Sequence, residues 1–212
     1  MIKAEDIAKA NYLNKLNQWH WDGESDFVEI VRENQKPGMI VVEIGCYDGS
    51  TTRKYIDIVK KNNGHVIVID TFMGSEGVSQ KEAHGFGVHN SGLYKLFKDK
   101  FRKYSDMMTI MQGKSHECIP NLPENCDIIF IDADHMYEAC KRDIKLSLPK
   151  VKTGGILCGH DCESFDYANK FPKEALEQQY WNKVHPGVIQ AVYDNFGRTR
   201  IKGFSVWYVF KK

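Results

Sequence analysis

The chain has 212 residues, 42% of them hydrophobic and 27% charged, which is enough apolar material for one domain with a substantial core. Lys and Arg number 29 against 28 for Asp and Glu, so a formal charge of +1 excludes any global electrostatic attraction to nucleic acid or an anionic membrane. No apolar run approaches the roughly 20 residues of a spanning helix, and the charged start MIKAEDIAKA does not read as a signal peptide; a cytoplasmic protein is expected.

Residues 1–36 carry apolar positions at helical spacing, Ile7, Ala10, Leu13 and Leu16, then Phe27, Ile30 and Val31, and are expected to form an amphipathic helical extension. Its aromatic link, Trp19-His20-Trp21-Asp22-Gly23, would pack against the domain or a second subunit, giving a homodimer, or wall a substrate pocket. Pro37-Gly38 ends this extension, and residues 37–212 alternate strands with helices as one domain. MIVVEIG is the first strand. It runs into Glu43-Ile44-Gly45-Cys46-Tyr47-Asp48-Gly49, where Gly45 and Gly49 permit a sharp turn and close approach of a ligand. The spacing G-x-x-x-G differs from the G-x-G-x-x-G of a dinucleotide site, which argues against a dehydrogenase. After a helix from Thr51 to Lys60, HVIVID ends at Asp70, roughly 20 residues beyond the turn, where α/β nucleotide folds hold ribose hydroxyls.

Residues 71–92 are glycine-rich and without periodicity, a loop placed to cover the crevice, with His84 and His89 either solvated or meeting a substrate there. A helix from Leu93 to Tyr104 and the strand MMTIMQG follow. Gly113-Lys114-Ser115 stands at that strand's end, before a short helix from His116 to Leu122. Asp127 to Ile131 is the fourth strand and Gly155 to Cys158 the fifth. Tyr137, Cys140, Ile144 and Leu148 mark the crossover helix between them, stopped by Pro149 and Gly154-Gly155. Asp132, Asp134 and His135 follow the fourth strand, and His160 and Asp161 follow the fifth. In a parallel sheet these two strand ends open onto one crevice, and their oxygen-rich cluster suits a divalent cation. The plainer role for Asp134 is to cap the crossover helix. The six cysteines form no C-x-x-C pair and read as buried small hydrophobes. A helix from Val188 to Phe196, opened by His185-Pro186-Gly187, and the strand FSVWYVFKK close the chain. The whole is a three-layer α/β sheet.

VEIGCYDGST, VIVIDTF, GKSHECIPNL, FIDADHMYE, GGILCGHD and VWYVFKK together resemble class I S-adenosylmethionine-dependent methyltransferases. More narrowly, they resemble the macrocin O-methyltransferase and cephalosporin hydroxylase-like group, which methylates sugar hydroxyls in macrolide and aminocoumarin pathways. The resemblance covers about residues 38 to 210 and implies a doubly wound, mostly parallel Rossmann-like sheet. It implies Glu43, Gly45 and Gly49 around the methionine moiety of S-adenosylmethionine, Asp70 on the ribose, Thr71 and Phe72 beside the adenosine, Ser115 near the adenine, and Asp132 at the fourth strand end. Metal-dependent members bind magnesium through the residues matching Asp132, His160 and Asp161; His160 departs from the usual acid, and imidazole is a poorer magnesium ligand than carboxylate.

The expected reaction is O-methylation of a small polyhydroxylated acceptor, with magnesium or manganese lowering the pKa of its hydroxyl and His135 or Asp134 taking the proton. No nucleic-acid or membrane partner is expected. A metal-dependent hydroxylase-like enzyme and a nucleoside-binding scaffold are the alternatives. The intact set Glu43, Asp70 and Asp132 argues against the scaffold.

Overall fold

A computed structural model describes residues 23–73, 90–182 and 184–212. Residues 1–22, with Trp19 and Trp21, and the stretch holding His84 and His89 lie outside the described residues. Seven strands form one sheet: β1 (Ile40–Ile44), β2 (His65–Asp70), β3 (Met108–Gln112), β4 (Cys126–Ile131), β5 (Val151–Gly159), β6 (Arg200–Lys202) and β7 (Val206–Phe210). Their order is β3-β2-β1-β4-β5-β7-β6. The first five run parallel, and β7 lies antiparallel to both β5 and β6. The order reverses between β1 and β4, so the crevice of a doubly wound sheet opens at their carboxyl ends.

The helices are α1 (Gly23–Glu33), α2 (Ser50–Lys61), α3 (Asn90–Phe101), α4 (Ser115–Cys118), α5 (Tyr137–Lys150), α6 (Lys173–Leu176) and α7 (Pro186–Phe196). A strand covered on both faces can be apolar throughout, and all six residues of β4 are buried. Alternation then sorts the side chains: Ile128 and Phe130 join Phe27, Tyr55 and Phe97 of α1, α2 and α3, while Ile129 and Ile131 join Ile144, Ile189 and Val192 of α5 and α7. The Phe27 ring stacks on Phe130 with centroids 4.0 Å apart, so α1 is a working part of the core.

Several boundaries differ from the sequence expectation. α3 stops at Phe101, and a 3-10 segment, Arg102–Met107, carries the chain to β3. Pro149 does not stop α5, which runs on to Lys150; this close to the end the ring forfeits little, and Lys211 Nζ donates to the carbonyls of Pro149 and Val151. Gly154-Gly155 lies inside β5. Pairing with β4 jumps there from Val151 opposite Cys126 to Ile156 opposite Ile128, a bulge in which Gly154 takes φ 76°. The short, polar β6 has too few residues for a period-2 signal. Among the described residues no helix is long and apolar enough to cross a membrane.

At the amino-terminal end of β4, Asp127 is 6% exposed and ties three segments together. Its Oδ2 accepts from the Ile40 amide at 2.7 Å, and its Oδ1 pairs with Lys36 and Lys152. Burial would push the carboxyl up, but Lys152, Lys36 and the amide outweigh it and hold it below its ordinary value. A depressed folded pKa stabilises above the unfolded pKa of ~3.9 and loses that contribution as pH falls through the folded value. Asp127→Asn is expected to cost about 1–3 kcal/mol at pH 7, with the difference from wild type narrowing below about pH 4; urea unfolding at the two pH values measures it.

Candidate active site

The crevice starts at the glycine turn. Gly45 has φ 88°, and a Cβ there would run into the Asp132 backbone, with Ala133 Cα 2.8 Å away. Gly49 caps α2 in the left-handed region, where a side chain would meet the Phe97 and Phe101 rings. Only glycine lets the turn after β1 lie against the end of β4.

Asp70 links this turn to the next strand end. Its Oδ2 accepts from Tyr47 N at 2.8 Å and its Oδ1 from Phe72 N at 2.6 Å, so one carboxylate joins the loops after β1 and β2. Burial pushes this carboxyl up, against the pull of those amides. The Cys46 amide also bonds this carboxylate. Glu43 is turned elsewhere. It is 1% exposed, and Thr52 Oγ1 and Tyr55 OH donate to its Oε2 at 2.6 and 2.8 Å, tying β1 to α2 on either side of the glycine turn. Burial pushes its carboxyl up to about 8, although both hydroxyls act in the opposite sense. Phe72 is buried with its ring between Tyr94 and Phe97, while Tyr47 and Met73 stand exposed. Thr71 Oγ1 accepts from Met73 N, and the Ser115 hydroxyl donates to Asp143 on α5 at 2.9 Å.

The ends of β4 and β5 bring the other named residues together. His160 Nδ1 lies 3.3 Å from Asp161 Oδ1 and 3.7 Å from Asp132 Oδ1. His135 Nε2 lies 3.1 Å from Asp161 Oδ2 and 3.9 Å from Asp132 Oδ1. Both aspartates act on that buried nitrogen, by hydrogen bonding as well as by charge. Burial works against a charge on either ring, but Asp132 and Asp161 prevail and hold both imidazoles up at about 10. In return the imidazoles hold both aspartates below the usual carboxylate range, despite the opposing effect of burial. A divalent cation binding with loss of two ring protons would meet the same charge balance. Asp134 stands beside this cluster; its Oδ1 accepts from Met136 N and from Gln179 Nε2, both at 2.9 Å. The expected capping role falls to Met136, which caps α5 without a side-chain bond; Asp134 instead closes a turn just before the helix and fastens the segment after β5.

A family model described as a methyltransferase domain matches residues 42–162, from β1 through the end of β5. The chain belongs to this methyltransferase family. Its sheet order and crevice are those of the class I methyltransferase fold. The methyltransferase is 26% identical over 136 residues to an uncharacterized protein of Acanthamoeba polyphaga mimivirus, a match spanning 63% of this chain and 56% of that one. Its structure is similar to the SAH-bound Podospora anserina methyltransferase PaMTH1, with TM-score 0.60, 15% identity and coverage of 100% and 89% of the two chains. It is also similar to the O-methyltransferase NovP, with TM-score 0.58, 20% identity and coverage of 90% and 78%. CalS11, a TDP-rhamnose 3'-O-methyltransferase, gives TM-score 0.57 and 15% identity over 99% and 87%. At these identities the likeness is one of fold.

Two residues of the methyltransferase site carried no signal for chemistry in the sequence. His185 Nδ1 lies 2.6 Å from Glu163 Oε1 and 3.5 Å from Asp161 Oδ1, and its ring centroid is 4.8 Å from that of His135. Gly187 allows this approach, since a Cβ there would strike the backbone of His135 and Tyr137. His185-Pro186-Gly187 reads locally as a helix start, which it is. The one hint was an acid, Glu163, two positions beyond Asp161.

Proposed function

We propose that this methyltransferase moves the methyl group of S-adenosylmethionine to a hydroxyl oxygen of a small polyhydroxylated acceptor, a sugar or glycosylated metabolite, with a divalent cation at Asp132, His160 and Asp161. The observation carrying the reading is the group Asp132, His160 and Asp161 beside the glycine turn, whose ligand atoms all lie within 4.8 Å of one another. Such a donor set fits a divalent cation. The sugar acceptor of CalS11, on the same fold, supports the choice of substrate class by analogy.

The methyl donor is already electrophilic, so the protein's task is alignment and proton removal. Asp70 takes the ribose hydroxyls, and the turn at Gly45 brings the cofactor against the end of β4. A bound cation would lower the pKa of the acceptor hydroxyl and fix its direction. Asp134 is our assignment for the base. Its Oδ1 is held by Met136 and Gln179, and Oδ2, which carries neither of those bonds, accepts the hydroxyl proton as the methyl passes from sulfur to oxygen. His135 is turned inward to the carboxylates.

Calorimetry on chelator-stripped protein tests the cofactor half: S-adenosylhomocysteine should bind, and Asp70→Ala should weaken it by about tenfold or more. No binding to the wild-type protein would end the methyl-transfer reading.

A further inference from the structure

We infer that Asp143, buried within α5, is a positioning residue for the base of the methyl donor: it holds the Ser115 hydroxyl, and with it the loop after β3, at the adenine end of the crevice. The inference rests on the S-adenosylmethionine reading above and extends it from the ribose to the base.

The sheet order gives the direction. With the carboxylate and imidazole cluster at the ends of β4 and β5 and the ribose on Asp70 after β2, a nucleoside lying along the crevice carries its base onward to the next strand end, that of β3. Gly113-Lys114-Ser115 stands there, and the Gly113 amide donates to the Asp70 carbonyl at 3.0 Å, so this loop adjoins the ribose residue. The loop has little of its own to hold it. The helix it leads into, α4, has four residues, too few to be stable without packing.

Asp143 supplies the anchor. It is 1% exposed, and its Oδ1 accepts from Ser115 Oγ at 2.9 Å. Its Oδ2 is buried and has no hydrogen-bond partner among the described residues. Burial pushes the carboxyl up to about 6, with the Ser115 hydroxyl acting in the opposite sense. An acid so placed gives the fold less than an apolar side chain of similar size would, so what it contributes is the one bond it makes to the loop. The same helix is also fixed to the other half of the crevice: Cys140, three residues earlier and on the same face, donates from Sγ to the Asp134 carbonyl at 2.9 Å. One helix thus sets the loop after β3 in register with the residues that follow β4.

The test is calorimetry on the full chain with two ligands, S-adenosylhomocysteine and S-ribosylhomocysteine, which lacks the base. Asp143→Leu should weaken S-adenosylhomocysteine about tenfold and S-ribosylhomocysteine by less than about twofold, and Ser115→Ala should do the same. The double variant should be about as weak as either single one, since both remove the same bond. Asp143→Asn keeps an acceptor oxygen for Ser115 and should stay within about threefold of wild type for both ligands. Equal weakening of the two ligands would make Asp143 a residue of the fold alone, and unchanged S-adenosylhomocysteine affinity would separate it from the site; either result overturns the inference. Should Asp143→Leu not fold, Ser115→Ala and Asp143→Asn still decide. Wild-type protein that binds neither ligand ends the S-adenosylmethionine reading itself, whereas wild-type binding that the variants leave unchanged ends only the role of Asp143.

Discussion

Asp161→Asn is expected to lower kcat by about a hundredfold to a thousandfold while changing S-adenosylhomocysteine affinity by less than about threefold. Three imidazoles, those of His135, His160 and His185, stand within 3.5 Å of this one carboxylate. No other described side chain of the cluster has so many ionisable neighbours at this distance. Asparagine is the informative replacement because Asp161 has φ 58°, a conformation that Asp and Asn tolerate better than most residues. The variant therefore keeps the backbone and side-chain volume and loses only the charge. Its ion-pair partners are all imidazoles and none belongs to the glycine turn, so cofactor binding should persist. Isothermal titration and initial rates on an active acceptor separate the two effects. A variant that retains more than about a third of the wild-type rate would remove Asp161 from the reaction centre.

Gly45→Ala should be the most damaging glycine-to-alanine change among the described residues. Two costs combine: φ 88° is a strained conformation for an L-residue, and the added Cβ would overlap the backbone of Asp132 and Ala133. The strain is of order 1–2 kcal/mol, and the overlap adds about 1–3 kcal/mol as β1 and β4 are forced apart. Those two strands bound the crevice, so S-adenosylhomocysteine affinity should fall with stability. Gly154→Ala supplies the comparison, because Gly154 has φ 76° but nothing within 4 Å of its would-be Cβ, leaving only the strain. Urea unfolding of both variants tests the argument. If Gly45→Ala proved no more costly than Gly154→Ala, close approach of the turn to Asp132 would not matter to the fold.

The strands that position the site were legible because they are buried on both faces and so read as unbroken β-branched runs, IVVEI, HVIVID and CDIIFI. Parallel connection then sends every strand's carboxyl end to the same edge. For that reason Asp70, Asp132, Asp134, His135, His160 and Asp161 could be assigned to one crevice from their order alone. The glycine turn was legible for a related reason: positions needing positive φ or close backbone contact leave a residue type behind them.

What only the tertiary structure decided is the direction of side chains and the arrival of residues from patternless segments. Glu43 turns to Thr52 and Tyr55, Phe72 into the α3 aromatics and Ser115 to Asp143, because packing, and not local propensity, chooses each rotamer. His135 is turned inward to the carboxylates while Asp134, one residue before it, is fastened by Gln179 from 45 positions away. His185 meets Glu163 across 22 residues that hold only short helical turns, where no periodicity records the contact. The sequence by itself thus determined the sheet, its switch point and the acids along its edge. Long-range packing decided which nitrogen and oxygen atoms of the cluster face one another, since that depends on how three separate segments settle against β4 and β5.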